Sequence, residues 1–141
     1  MSLRVTLRGG YRFDVTSRGH TVITDQLTED GGSDAGMTPV ELFIASLSTC
    51  VGYFVGRYCA RHHIATDRLA IDVDWDYAEQ PHRVGEIRLR LILPTDLTEE
   101  QQQALLKVAQ GCTVHRSLTI PPNVEIELCQ RSAATTPTGS H

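Results

Sequence analysis

Four cysteines are the residues of this chain best suited to chemistry, and two of them sit in conspicuous surroundings. Cys50 closes the run "TPVELFIASLSTC", residues 38–50, among apolar and small side chains. A helix there puts Cys50 on one stripe with Phe43, Ser46, Leu47, Phe54, Arg57 and Arg61. Being mid-helix, it gains little from the helix dipole, which fades within a turn of either end. Any activation must come from neighbours that the fold supplies. From its own residues a packing thiol and a reactive thiol are both open readings, since free cysteine is among the most buried residue types.

Cys112 follows Gly111 and precedes "TVHRSL", which reads as a short helical turn. Its sulfur is expected near free backbone N–H groups and near His115 or Arg116, both of which favour a thiolate. Cys59, half a turn round the helix from Cys50, faces the other way, and Cys129 ends the last predicted strand; both read as structural thiols. Cys59/His62 and Cys112/His115 are Cys-x-x-His pairs, each half of a zinc site that needs four ligands, and no Cys-x-x-Cys supports them. Phosphate-binding Gly loops and Gly-x-Ser-x-Gly elbows are missing. His20, His82 and His141 read as surface or turn histidines.

Composition narrows the classes. The 141 residues fit one domain, 40% hydrophobic and 21% charged, with net charge −4 and no basic block. A nucleic-acid role therefore has no electrostatic footprint. No run approaches the roughly 18 consecutive apolar residues of a membrane span, and charges throughout the first strand-like stretch leave no secretory signal, so a cytoplasmic protein is expected. Four cysteines in that compartment point to free, catalytic or metal-bound thiols rather than a disulfide framework.

Residues 3–9, "YRFDVT" and "HTVITD" alternate with period two between short Gly-containing turns, which predicts a three-stranded antiparallel meander. Residues 26–37 are acidic, Gly-rich and aperiodic, predicting a mobile surface loop. Thr38, Pro39 and Glu41 spell a capping box with proline at the first helical position. A helix from there to about His63 would span about 39 Å, across a domain whose radius of gyration is about 14 Å. Its apolar faces need covering on all sides, which implies a second subunit. "RLAIDVDWDYAE" and "EIRLRLILP" predict two paired strands, with Asp72, Asp74 and Asp76 facing Arg88 and Arg90 on a solvated face. "LTEEQQQALLKVAQG" is a second helix opened by Thr98 or Asp96. "TIPPNVEIELC" predicts a last strand with Val124, Ile126 and Leu128 on one face. The order βββ-α-ββ-α-β is that of an α+β domain over residues 1–130, with a polar, disordered tail over 131–141.

"TPVELFIASLSTC" and "GCTVHRSL", taken with the Pro39-to-Cys50 spacing and the strand order, resemble the family of osmotically inducible protein C and the organic hydroperoxide resistance proteins, OsmC and Ohr. The resemblance covers residues 3 to about 129 and is closer to a less-characterised OsmC-like branch. It implies an OsmC-like fold, with antiparallel sheets wrapped around long central helices in an intertwined homodimer. It also implies a thiol-dependent peroxidase for organic hydroperoxides, with hydrogen peroxide a further candidate, acting in oxidative-stress defence without a cofactor or metal. By the resemblance Cys50 is the attacking thiol and Cys112 the resolving one, reset by a lipoyl- or thioredoxin-like dithiol; nucleic acid and membrane are not expected partners.

The better-characterised branches place a catalytic glutamate directly after the proline. Here that position is Val40, and Glu41 lies about 100° further round the helix, where a capping role accounts for it. Those branches also use an arginine from the N-terminal strands, for which Arg12 and Arg18 are the candidates. A non-catalytic dimer binding a small apolar ligand or a partner, its thiols merely packed, is the competing reading. A metal site at Cys112 and His115 is the third.

Overall fold

The computed structural model describes residues 1–93 and 96–131. Three strands come first: β1 (Arg4–Gly9), β2 (Arg12–Ser17) and β3 (His20–Thr24), antiparallel in that order. The register aligns Val5 with Val15 and Val22, and Leu7 with Phe13 and Thr24, so one face of this sheet is apolar. The sheet scarcely packs on the rest of its own chain, and Val5, Leu7 and Val22 stay exposed.

The stretch after β3 corrects the expectation of a mobile loop. Asp25, only 2% exposed, accepts hydrogen bonds from the N–H groups of Gln26 (2.7 Å), Ala35 (3.1 Å) and Ser33 (3.2 Å). Thr24 also bridges to Met37, and a single 3-10 turn forms at Thr28–Asp30. Gly32 is required by close packing, since a Cβ there would stand 2.1 Å from the Gln26 carbonyl oxygen. An acidic, Gly-rich sequence is thus drawn into a hydrogen-bonded loop by one carboxylate.

Helix α1 (Pro39–Arg61) begins as its sequence dictates. Thr38 Oγ1 accepts from Glu41 N–H at 3.2 Å, and Glu41 Oε1 accepts from Thr38 N–H at 2.9 Å. This capping box satisfies two of the N–H groups that a helix start leaves without partners. The helix ends two residues before His63, with His62 as C-cap and His63 at φ 56°. Its 23 residues span about 34 Å. Ile44, Leu47, Val51, Val55 and Cys59 form its buried stripe, whereas Tyr53 on the open side is 62% exposed. By length and mean composition alone α1 could cross a membrane, a test that buried core helices also pass. Its buried stripe instead belongs to the core of the domain.

Strands β4 (Ala70–Ala78) and β5 (Arg83–Ile92) pair antiparallel with Asp74 opposite Arg88 and Asp72 opposite Arg90. Arg88 Nε donates to Asp74 at 2.6 Å, and its guanidinium also reaches Asp76 (2.9 Å) and Glu86 (3.0 Å). Arg90 donates to Asp74 at 3.1 Å, so the expected cross-strand charge network is present. The ladder slips at Tyr77, leaving Gly85 as the extra residue; a Cβ there would press within 2.6 Å of Ala78 Cβ. The other face of this sheet packs Ile71, Ile87, Leu89 and Leu91 towards α1.

Helix α2 (Glu99–Gln110) opens on a second capping box, Thr98 with Gln101, and buries Leu105. Helix α3 (Thr113–Thr119) follows at once. The core joins Leu47, Val51, Val55, Cys59, Ile64, Leu105 and Cys112.

The last predicted strand is a correction. Among the described residues, 120–131 have no ladder partner, and Ile126 and Leu128 are 93% and 95% exposed. Among the described residues the order is βββ-α-ββ-α-α, the apolar alternation at Val124, Ile126 and Leu128 finding no strand there to pair with. The predicted polar tail, apart from Arg131, lies outside the described residues.

Candidate active site

The turn between α2 and α3 positions one thiol and α1 the other. Gly111 caps α2 in an ordinary conformation (φ −88°), and the next residue, Cys112, takes the extended geometry of an N-cap. Its Sγ accepts a hydrogen bond from the His115 N–H at 3.3 Å, the place usually held by a serine or aspartate oxygen. Cys112 is fully buried. Cys50 is half-buried on α1, packed against the same core, and its thiol is close enough to act on that of Cys112. Two chain segments remote in sequence thus bring these thiols near each other.

The electrostatics of Cys112 differ from expectation. Burial raises its pKa above the ordinary thiol value, the His115 N–H opposes this, and the neighbouring Cys50 thiol raises it again. The imidazole of His115 does not serve the sulfur, because its Nδ1 lies 2.7 Å from the Gln110 carbonyl oxygen. That contact makes Nδ1 the protonated nitrogen. The expected thiolate-favouring cluster of His115 and Arg116 therefore reduces to backbone N–H groups, those of His115 and Val114, and burial outweighs them.

Neither candidate arginine serves a thiol within one chain. Arg12, on the separate sheet, stands 3.7 Å from Asp14 and lowers the pKa of Asp25, after that carboxylate's hydrogen bonds from Ala35 and Gln26. Among the described residues, Arg12 Nε and Asp14 Oδ1 are buried without a hydrogen-bond partner. Arg18 occupies the β2–β3 turn at φ 50°, exposed. Glu41 is engaged in its capping box, as its position predicts.

Cys59 lies in the core, where burial raises its pKa, and Cys129 is exposed in the C-terminal segment. Among the described residues no three His, Cys, Asp or Glu side chains converge on a point, so neither Cys-x-x-His pair is completed. Sequence reasoning missed a cavity of about 490 Å³ beside α1, lined by Phe43, Leu47, Val51, Ile87 and His115 among others, and by neither cysteine of the pair. The alternating apolar residues of β5 were its one visible sign.

The model of the OsmC-like protein family matches residues 31–127, a span holding both thiols and every element from the capping box onward. The chain belongs to the OsmC-like family. No curated protein matches it. Solved structures share the OsmC-like fold at low identity. An osmotic stress induced and detoxification response protein from Psychrobacter arcticus is 23% identical, over 83% of this chain and 87% of that one, with TM-score 0.78. The organic hydroperoxide resistance protein OsmC of Legionella pneumophila is 18% identical, over 84% and 89%, with TM-score 0.63. An organic hydroperoxide resistance protein of Vibrio cholerae, with captopril bound in one of its active sites, is 17% identical over 87% and 86%, with TM-score 0.61. In this fold α1 carries Cys50 and the α2–α3 turn carries Cys112, and tertiary packing makes them neighbours.

Proposed function

We propose that this OsmC-like chain is a thiol-dependent peroxidase for organic hydroperoxides, working in the cytoplasm as a homodimer in oxidative-stress defence. Membership of the family, and relatives named for hydroperoxide resistance, suggest a redox or stress role at the coarser level. The observation that carries the finer reading is the half-buried Cys50 thiol beside the fully buried Cys112 thiol at the edge of one core.

In this reading the Cys50 thiolate attacks the distal oxygen of R–O–OH. The S–O bond forms as the O–O bond breaks, and the alkoxide leaves with a proton as the alcohol. The Cys112 thiol then attacks the Cys50 sulfenic acid, forming the disulfide and releasing water. A lipoyl- or thioredoxin-like dithiol restores both thiols by exchange and is itself oxidised to a disulfide. Half-burial of Cys50 leaves access for a peroxide, while full burial of Cys112 protects the resolving sulfur from direct oxidation. The homodimer is supported by two uncovered apolar surfaces, the face of the β1–β3 sheet and the open side of α1.

The test is peptide mass spectrometry after one equivalent of cumene hydroperoxide. The peptides holding Cys50 and Cys112 are expected to become linked, and Cys50→Ser to abolish turnover with a dithiol. A thiol count unchanged by the peroxide removes the reading. The 490 Å³ apolar cavity, which neither thiol lines, favours a second reading as a non-catalytic binder of a small apolar ligand. Ligand binding fully retained in the Cys50→Ser, Cys112→Ser double variant, together with an unchanged thiol count in the parent, would favour it.

A further inference from the structure

Two surfaces of this chain carry opposite charge gradients beside their uncovered apolar areas. On α1 the open stripe runs from Phe43 through Tyr53 to Arg57 and Arg61, and His62, His63 and Arg68 extend the basic end. On the β1–β3 sheet the apolar row Leu7–Phe13–Thr24 leads directly into the loop bearing Glu29, Asp30 and Asp34. Asp25 fastens that loop, and Tyr11 packs beneath its Gly31. Arg57, Arg61 and Arg68 on the one side and Glu29, Asp30 and Asp34 on the other are exposed, and among the described residues none has an ion-pair partner within 4.0 Å. The other dense charge cluster of the chain, on β4 and β5, is by contrast internally paired.

We propose that the acidic 28–34 loop of one copy docks on the basic C-terminal end of α1 in a second copy, fixing how the two chains align. This rests on the homodimer proposed above and adds its orientation. The apolar sheet face of each chain covers the open stripe of the other's α1. Each acid loop then meets the partner's Arg57 and Arg61, and a two-fold axis makes the contact twice. The occupant is a second copy because each chain carries both halves of the match: apolar beside acidic, and apolar beside basic. Exposed pairs of this kind act on register and association rate more than on the bulk of the affinity, which the apolar faces supply.

The test is charge reversal read by sedimentation velocity over a concentration series. Parent protein is expected to dimerise, with a dissociation constant that rises with salt. Arg57→Glu/Arg61→Glu and Glu29→Lys/Asp30→Lys should each weaken self-association by about 10-fold or more at low salt, since repulsion replaces attraction at both contacts. Mixed one to one, the two variants should restore dimers, because every contact is again between opposite charges. Glu99→Lys/Glu100→Lys makes the same change in net charge on α2 and should not rescue the arginine variant. Equal rescue by that control, or a dimer indifferent to the arginine reversal, overturns the docking while leaving the dimer standing. A monomeric parent at high concentration overturns the dimer and the docking together. The peroxide-linkage measurement reports separately on the thiol chemistry.

Discussion

Cys112 is at once the N-cap of α3 and the neighbour of Cys50. Its sulfur accepts the His115 N–H at 3.3 Å, while the half-buried thiol on α1 lies beside it. One sulfur atom therefore holds a structural post and faces a potential reaction partner. The backbone hydrogen bond fixes where Cys112 sits, and packing of α3 on α1 brings that position to Cys50.

Burial ranks the four thiols by access. With iodoacetamide at mildly alkaline pH, Cys129 should be alkylated first and Cys50 next, with Cys59 and Cys112 modified only as the chain opens. Timed peptide mapping reads the order. Modification of Cys59 as fast as Cys129 would contradict the core described above.

Burial raises the pKa of Cys112 and of Cys59. Thiols whose folded pKa exceeds the unfolded value stabilise the fold fully below that unfolded value. The contribution is lost as pH climbs through the folded one. Urea midpoints of the reduced protein should thus fall above about pH 9, and less steeply for Cys59→Ala. Parallel pH profiles for parent and variant would show that Cys59 contributes nothing to the decline.

Glu41 closes a capping box, and a glutamine can do the same. Glu41→Gln should leave thermal stability and thiol reactivity close to the parent. Thr38→Ala should cost about 1 kcal/mol of stability. Calorimetry and alkylation rates check both. A collapse of Cys50 reactivity in Glu41→Gln would mean that the carboxylate does more than cap.

Asp25 has a lowered pKa, chiefly through the Ala35 and Gln26 N–H groups, with help from Ser33 and the charge of Arg12. A depressed carboxylate stabilises the fold above its unfolded pKa of 3.8 and ceases to do so as pH falls through the folded value. Acid titration by circular dichroism should show Asp25→Asn less stable at neutral pH and less sensitive below pH 4. Identical acid transitions in parent and variant would remove the carboxylate from that account.

The strands β1 to β5, the first capping box and the cross-strand charge network were legible because each rests on local spacing. Thr38 and Glu41 meet wherever a helix begins between them, and Asp74 faces Arg88 once alternation is read on both strands. Residues 120–131 alternate just as cleanly, but alternation records a face to be covered without saying which chain supplies the neighbour. Asp25 left no trace in the pattern because its partners are backbone N–H groups, which every residue except proline carries. The closeness of Cys50 and Cys112 could not be read from spacing either; it was expected from family resemblance. The ring of His115 turned to Gln110 for a similar reason, since a carbonyl at a helix end is invisible in side-chain patterns.

Cys50 is the middle residue of the 23 in α1. Fraying consumes helices from their ends inward, so about three turns on either flank would have to unwind before its sulfur moved. Loops at both termini of the helix can accordingly breathe, or rearrange on meeting other molecules, while the thiol holds its coordinates. A long helix thereby works as a rigid mount that isolates this sulfur from motion at the molecular surface.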